Sequence, residues 1–329
     1  DSTNTKATLV TAMEYLKTRH SIIRSNIENR YNNLGITSNI PAFESFAFKL
    51  STSEVCLQCL YVAVGASGTI LISVDGITWE SRTSGTTNIL YDIAYGNSIF
   101  VAVGQGGTIL TSPYGNTWSV KTSGTTGLAG EYVGVAFING TFVVVGFSGT
   151  ILTSPDGTTW TKMEASGADF LHGITYGNST FVAAGSTIHT SSDGISWTSR
   201  TSGTSNRLYD ISYGNSTFVT VGHTGTILTS SDGISWDNRT SGTTNNLQSV
   251  TYGNNIFVAS GSDILTSPDG TTWTSRTSGT SNYLNSVTYS NSTFVVVGQN
   301  GTILTSSDGI TWTSRTSGTS QPLYGVTSR

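Results

Sequence analysis

The chain has 329 residues, 15 lysines and arginines, 19 aspartates and glutamates, and a formal net charge of −4 at pH 7. Only 10% of its residues are charged, which argues against a nucleic-acid partner, because such partners require a dense basic surface. No run of about 18 apolar residues is present, so no membrane-spanning helix is expected. Short runs of aliphatic and aromatic residues alternate with Gly, Ser, Thr and Asn, and this pattern predicts an all-β protein.

The first 36 residues form a segment that predicts one helix. The stretch from Thr5 to Leu34 contains no proline, and the first glycine, Gly35, is a common helix terminator. Heptad-like spacing, interrupted by His20 and Arg30, relates the apolar residues Leu9, Met13, Leu16, Ile23, Ile27 and Leu34. We predict that residues 1–36 dock into a protein assembly or self-associate as a homo-oligomer; packing against the rest of the chain is the alternative.

Residues 37–60 form a connecting segment with one predicted strand. Phe46, Phe48 and Leu50 alternate there with Ala47 and Lys49, as they would in a half-buried strand. The whole segment 1–60 is therefore predicted to mediate contact with a protein assembly.

Two cysteines close the connecting segment. Cys56 and Cys59 have the spacing of a redox pair or of half a zinc site. A second such pair is absent, and the histidines are dispersed along the chain: His20, His172, His189 and His223. We therefore expect two thiols, no metal and no cofactor.

From Tyr61 to the end, the sequence consists of seven copies of one repeat. A Val-x-x-Gly strand marks each copy and recurs every 37 to 42 residues, at Val62, Val101, Val143, Val182, Val219, Val258 and Val295. Each copy contains four short β runs, which is the content of one propeller blade. Residues 61–329 are thus predicted to form a single seven-bladed β-propeller. The tryptophans share one repeat position, where we expect them to seal neighbouring blades: Trp79, Trp118, Trp160, Trp197, Trp236, Trp273 and Trp312.

The turn before each tryptophan carries a recurring motif, which reads SVDGITW, SPDGTTW or SSDGISW. It resembles the Asp-box of sialidase-like, BNR-repeat propellers, shortened by one residue, and the resemblance covers residues 61–329. It implies that the box joins the third and fourth strands of a blade, on the face away from the ligand site. The aspartates are Asp75, Asp156, Asp193, Asp232, Asp269 and Asp308. Because Tyr114 replaces the aspartate in the second copy while the tryptophan stays, we expect these carboxylates to stabilise turns.

The two ends of the repeat region predict how the ring closes. Residues 61–65 have the sequence of a second strand, whereas residues 323–327 have that of a first, innermost strand. We therefore expect the C-terminal strand to complete the first blade and remove the open edges of the ring.

The sialidase activity of the resembled family is not expected in this chain. It requires an arginine cluster that grips a carboxylate, a tyrosine nucleophile and an acid. The repeated basic residues instead follow the tryptophans on the outermost strands, where they protect an exposed edge: Arg82, Lys121, Arg200, Arg239, Arg276 and Arg315. We predict no catalytic residues and no enzymatic activity.

The copies differ from one another mainly in two loops, the one after the TSG sequence and the VGxxG turn. The assigned topology places both loops on the face opposite the Asp-boxes. The candidate ligand-binding residues on that face are Glu131, Tyr132, Phe147, Asp169, Phe170, Arg207, His223, Tyr283, Gln299 and Gln321. Aromatic and polar groups together suit weak carbohydrate or protein recognition, whereas unconstrained drift of surface loops is the alternative.

Three functions are compatible with this organisation. The first is a non-catalytic component of a virion or surface appendage, such as a phage tail, fibre or adhesin, anchored through residues 1–60 and located on a virion or at an extracellular or cell surface. The second is a soluble multivalent carbohydrate-binding propeller that recognises surface glycans. The third is an assembly or scaffold factor resembling photosystem II assembly propellers. Those present a basic patch, whereas residues 61–329 hold nine basic and fourteen acidic side chains.

Overall fold

Twenty-eight strands in seven antiparallel four-stranded sheets make up the fold of the described residues, 60–121, 131–165, 167 and 170–329, in a computed structural model. The predicted all-β, seven-bladed propeller is confirmed. The predicted helix 1–36, the strand within 37–60 and both cysteines lie outside the described residues.

The strands repeat the same four lengths in each blade. In chain order they are β1 (Tyr61–Gly65), β2 (Ile70–Ser73), β3 (Glu80–Arg82), β4 (Leu90–Gly96), β5 (Ile99–Gly104), β6 (Thr108–Ser112), β7 (Ser119–Lys121), β8 (Tyr132–Ile138), β9 (Thr141–Gly146), β10 (Thr150–Ser154), β11 (Thr161–Glu164), β12 (Leu171–Gly177), β13 (Thr180–Gly185), β14 (Ile188–Ser191), β15 (Thr198–Arg200), β16 (Leu208–Gly214), β17 (Thr217–Gly222), β18 (Ile227–Ser230), β19 (Asp237–Arg239), β20 (Leu247–Gly253), β21 (Ile256–Gly261), β22 (Ile264–Ser267), β23 (Thr274–Arg276), β24 (Leu284–Ser290), β25 (Thr293–Gly298), β26 (Ile303–Ser306), β27 (Thr313–Arg315) and β28 (Leu323–Ser328).

Blade 1 joins the two ends of the propeller. Its sheet has the order β28-β1-β2-β3, and blades 2 to 7 follow along the chain, each beginning on its innermost strand. The antiparallel pairing of β28 with β1 places Val62 opposite Thr327, and the Arg329 N–H donates to the Leu60 carbonyl at 3.1 Å. The predicted closure by the C-terminal strand is therefore confirmed.

Seven apolar clusters hold the blades together, one at each blade boundary. At the boundary of blades 1 and 2, Val62 and Ile70 pack with Phe100 and the half-buried Trp118, and the rings of Phe100 and Trp118 lie 6.4 Å apart. The second strand of each blade is largely apolar, with Thr220 and Ser260 as buried polar exceptions, because it contacts a neighbouring blade on both faces. Each large apolar side chain buried there contributes about 2 to 3 kcal/mol.

The Asp-box aspartates form the same turn wherever they occur, as blade 1 illustrates. Asp75 Oδ1 accepts the N–H groups of Ile77 and Thr78, both at 2.8 Å. Ser73 Oγ donates to the same oxygen at 3.0 Å and accepts the Gly76 N–H at 2.8 Å. Gly76 has φ of +72°, which a side chain would strain. These carboxylates thus satisfy backbone donors in a hairpin turn.

Blade 2 keeps this turn without the carboxylate. The Gly115 N–H still donates to Ser112 Oγ at 2.8 Å, while Tyr114 is 69% exposed. We expect Tyr114→Asp to raise the free energy of unfolding by about 1 kcal/mol, because the N–H groups of Asn116 and Thr117 gain an acceptor. Urea denaturation at neutral pH measures this change.

The reciprocal variant, Asp308→Ala in blade 7, is expected to lose a similar amount. The N–H groups of Thr311 and Ile310 lower the Asp308 pKa to about 2. Because the folded-state pKa is lowered, this stabilisation is present above about pH 4 and disappears as the pH falls towards 2. Unchanged stability in both variants would contradict a stabilising role for the carboxylate.

The two rims of the ring differ in the loops they carry. We call the first rim the turn face, because it carries the Asp-box turns and the turns between the first two strands of each blade. On this face, Asn97 Nδ2 of blade 2 donates to Pro155 O in the Asp-box of blade 3, at 3.1 Å. On the second, the loop face, the Gln105 N–H of a VGxxG turn donates to Ile89 O of the loop after TSG, at 2.8 Å. The two variable loops therefore share one face, as the topology predicts.

Candidate functional site

Every innermost strand carries a β-bulge near its beginning. In β4, Leu90 pairs with Gly104 whereas Asp92 pairs with Val103, so one extra residue lies between them. The other six innermost strands shift register at the same position. Leu90 and Ile93 are both buried between blades, so the bulge directs the two side chains between them, Tyr91 and Asp92, away from the core.

These side chains surround the central channel, because the innermost strands of successive blades contact one another in a closed ring. We call the second and third residues of these strands the channel collar. The second residues, in blade order, are Tyr324, Tyr91, Val133, His172, Tyr209, Gln248 and Asn285; the third are Gly325, Asp92, Gly134, Gly173, Asp210, Ser249 and Ser286. The repeat is thus diverse where it faces the channel, although the buried residues around these positions change little.

Two aspartates of the collar link neighbouring blades. In blade 2, Asp92 Oδ2 accepts a hydrogen bond from the N–H of Val135 in blade 3 at 2.8 Å. Asp92 Oδ1 accepts one from the N–H of Ile93 in its own strand, also at 2.8 Å. Asp210 of blade 5 accepts Ser249 Oγ at 2.7 Å and the Val250 N–H at 2.9 Å, both from blade 6. Each carboxylate therefore joins its blade to the next one.

The same carboxylates are costly to ionise. Burial raises the pKa of Asp92 to about 7, and the charge of Asp210 adds to this effect. Burial raises the pKa of Asp210 to about 6. The backbone N–H bonds act in the opposite direction but do not offset the loss of water. As whole residues, Asp92 and Asp210 remain half-buried.

An aromatic cluster borders the collar between blades 3 and 5. The rings of Phe147 and Phe170 pack edge to face with centroids 4.8 Å apart, and His172 packs edge to face against Tyr209 at 5.5 Å. The guanidinium carbon of Arg207 lies 4.9 Å from the Phe170 ring centroid. Burial, with the nearby charge of Arg207, lowers the His172 pKa to about 4, so this imidazole is neutral at pH 7.

Tyrosines occupy the opposite side of the collar. The rings of Tyr91 and Tyr324 lie 5.9 Å apart. Burial raises the pKa of Tyr91 to about 12, helped by the charge of Glu131 and a hydrogen bond to it. Burial also raises the pKa of Tyr283. These rings stay half-buried and present part of their apolar surface to solvent.

The structure brings some of the sequence-predicted site residues together. Phe147, Phe170 and Arg207 form the aromatic cluster, and Glu131 and Tyr283 adjoin the collar. His223 and Gln299 lie farther out on VGxxG turns, Gln321 is exposed in an inter-blade loop, and Asp169 lies outside the described residues.

One predicted residue is not available to a ligand. Tyr132 is fully buried because it takes the first position of β8, which is leucine in the other six innermost strands. Its side chain therefore belongs to the core between blades 2 and 3.

The collar residues were not among the predicted site residues. In blade order the innermost strands begin with LYG, LYD, YVG, LHG, LYD, LQS and LNS, so the second and third residues vary from copy to copy. Strict alternation would turn the third residue of each strand towards the core, whereas the bulge turns it towards the channel.

The repeated outer basic residues stay away from the channel. Arg200 Nε donates to Thr190 Oγ1 on the neighbouring strand at 2.8 Å, and Arg82 pairs with Glu80 at 2.7 Å. Beside them, open polar grooves of about 710, 660 and 550 Å³ lie on the loop-face ends of blades 1, 5 and 7. Each groove is lined by the arginine of the outermost strand and by hydroxyl groups of the TSG loop, including Ser84, Ser241 and Ser317.

The described part of the chain contains no group of three His, Cys, Asp or Glu residues that could hold a metal ion. None of its helices has the length and hydropathy needed to cross a bilayer.

No protein-family model and no curated protein matches the chain, whereas solved structures do. YCF48 bound to a D1 peptide is 19% identical with a TM-score of 0.59, covering 72% of this chain and 84% of that one. Virginiamycin B lyase from Staphylococcus aureus is 11% identical with a TM-score of 0.62, covering 68% and 83%. The WD40 propeller domain of Doa1 is 16% identical with a TM-score of 0.56, covering 77% and 88%. At these identities the likeness shows the fold alone, and the chain is a seven-bladed β-propeller.

Proposed function

We propose that this chain is a non-catalytic binding scaffold whose loop face holds a segment of a partner polypeptide over the channel collar. One observation carries the proposal: seven nearly identical blades present six different pairs of residues at the collar, and most of their aromatic and polar side chains are half-buried. A ring that only had to close could repeat one residue there. Rings that keep apolar surface in contact with water are typical of the central part of protein interfaces.

The solved complex of YCF48 with a D1 peptide supports this proposal, because it is a propeller of similar fold with a bound peptide. We therefore place an assembly or scaffold role, resembling that of photosystem II assembly propellers, ahead of a virion or appendage role. The anchoring role of residues 1–60, their self-association and a virion or surface location stay predictions. Membership of the Asp-box family is part of the proposal and is supported by the aspartate turns.

The absence of catalysis is also part of the proposal. Virginiamycin B lyase shares the fold, and one fold hosts many functions. Incubation of the chain with virginiamycin B, followed by chromatography, is expected to return the compound unchanged. Enzyme-dependent conversion would contradict the non-catalytic assignment.

Selection from a random peptide display library tests the binding proposal. We expect enriched peptides whose affinity falls at least about tenfold in Phe170→Ala and Tyr209→Ala, since aromatic contacts dominate such interfaces. The matched control is Tyr114→Ala, which removes an exposed ring from the turn face and should retain binding. Thermal melting of each variant verifies its fold. A selection without enrichment, or equal losses in all three variants, would contradict the proposal.

Carbohydrate binding is the second candidate function, and the polar grooves on blades 1, 5 and 7 favour it. Three grooves with matching hydroxyl and guanidinium linings suit weak binding that multivalency strengthens. We expect the chain to bind some glycans on an array. The Arg239→Ala variant should bind them more weakly but not lose binding, because the substitution alters only the groove of blade 5. Flat responses across the array would rule this function out.

A further inference from the structure

The channel collar has two levels with different chemistry. Tyr91, Tyr209 and Tyr324 lie at the first level, and Asp92 and Asp210 follow them directly in sequence on blades 2 and 5. These blades are three apart in a ring of seven, so the carboxylates approach the channel from well-separated directions. A group that enters from the loop face therefore passes aromatic rings before it reaches negative charge.

Both carboxylates keep the capacity to bind another donor. An ionised carboxylate offers about four acceptor positions, of which Asp92 uses two and Asp210 uses three in hydrogen bonds to the protein. Within the described residues, no lysine or arginine pairs with either one; Arg82 pairs instead with Glu80, and Arg239 with Asp237, on outer strands. The collar thus contains negative charge without a cationic partner.

We propose that the channel collar captures one lysine or arginine side chain of the bound polypeptide, with the tyrosine rings around it and Asp92 and Asp210 as its counter-ions. This inference rests on the proposed function and specifies its partner. Cations are attracted to the faces of aromatic rings, and charge-assisted hydrogen bonds to carboxylates are among the strongest available. An anion would meet repulsion from both carboxylates, and an apolar group would leave them buried without compensation.

The surrounding charges favour the same occupant. The other titratable groups in or beside the collar are Tyr91, Tyr209, Tyr324, Tyr283, His172, Glu131 and Arg207. His172 is neutral above about pH 4, Glu131 adds a negative charge beside Tyr91, and Arg207 lies at the rim, over Phe170. Since burial holds the pKa values of the aspartates at about 7 and 6, capture should strengthen as the pH rises and both become ionised.

A pair of blocked pentapeptides tests the inference on the full chain, by isothermal titration and by NMR of the tyrosine rings. The first is acetyl-Gly-Gly-Arg-Gly-Gly-amide; the second replaces arginine with citrulline, which has the same shape and no charge. We expect the arginine peptide to bind at least about tenfold more tightly and its affinity to rise between about pH 5 and 8. Equal affinities, or a preference that does not change with pH, would overturn the inference.

Matched variants locate the effect. The double variant Asp92→Asn, Asp210→Asn is expected to lose the preference for arginine. The control Glu80→Gln, Asp237→Asn removes the same number of negative charges from exposed outer strands and should keep the preference. If the collar variant fails to fold, as judged by thermal melting, Tyr209→Ala provides the second test, since removal of the ring should weaken arginine binding by several fold. Loss of the preference in the control would overturn the inference.

The library selection separates this inference from the proposed function. Enriched peptides that bind the loop face but tolerate replacement of every lysine and arginine would refute cation capture and leave the binding function intact. Arginine-dependent changes at the collar without enrichment of any peptide would refute the polypeptide-binding function and retain the cationic subsite. Enriched peptides that lose affinity when one basic residue is replaced would support both.

Discussion

Deletion of residues 323–329 is expected to lower the melting temperature more than any single side-chain substitution in the propeller. The deletion removes β28 and with it the buried side chains of Leu323 and Val326 from the cluster between blades 7 and 1. Each costs about 1 to 4 kcal/mol, and the edge of β1 loses its hydrogen-bonding partner. Because a domain has a total stability of about 5 to 15 kcal/mol, we expect most of the cooperative transition to disappear.

Circular dichroism and tryptophan fluorescence, followed during heating, measure this effect. The control is Tyr324→Ser, which changes a channel-facing side chain of the same strand and should melt near the wild-type temperature. A synthetic peptide of sequence LYGVTSR, added to the truncated chain, should raise the transition in a concentration-dependent way. An unchanged melting temperature after truncation would contradict closure by this strand.

The second large effect concerns the dependence of stability on pH. Asp92 and Asp210 have folded-state pKa values of about 7 and 6, above the value near 4 of an unfolded aspartate. The folded chain therefore binds more protons than the unfolded chain in this range, so their contribution to stability falls as the pH rises from about 4 to 7. We expect the Asp92→Asn, Asp210→Asn variant to gain stability relative to the wild type over this interval, by about 1 to 3 kcal/mol after screening by channel water.

The difference between variant and wild type is the quantity to measure, by urea denaturation at several pH values. Burial lowers the pKa values of His172 and His189, so these side chains add stability as the pH rises and mask part of the effect in the wild type. The control Glu80→Gln, Asp237→Asn should follow the wild type at every pH. A difference that stays constant or shrinks as the pH rises would contradict the assigned burial of the two carboxylates.

The ring could be predicted from the sequence because each of the seven repeat copies encodes the same four-stranded blade. Tryptophan, the Asp-Gly turn and the apolar second strand recur in register, and the copy number sets the number of blades. The closure followed from the ends of the repeat region, since residues 61–65 and 323–327 are complementary parts of one blade. These features depend on residue types and spacing, both of which are visible in the sequence.

The collar could not be predicted by the same reasoning. A strand with strict alternation from Leu90 places Asp92 on the core side and Ile93 on the channel side. In the structure Leu90 and Ile93 are both buried. They can point to the same side of the strand only because the bulge inserts one extra residue between them. No proline or glycine at Tyr91 or Asp92 marks the bulge in the sequence. Tyr132 was misassigned for a related reason, since its aromatic ring replaces a core leucine.

The seven bulges separate what maintains the fold from what determines recognition. Most collar residues can change without disturbing the apolar clusters between blades, provided that glycine is kept where a neighbouring carbonyl approaches, as His172 O does at Gly134. Duplication or exchange of whole blades would therefore reorder the residues around the channel while the apolar contacts between blades were retained, although the bonds of Asp92 and Asp210 to the next blade depend on their neighbours. The blades are therefore interchangeable units, and new binding specificities could arise by recombination of repeat copies as well as by point mutation.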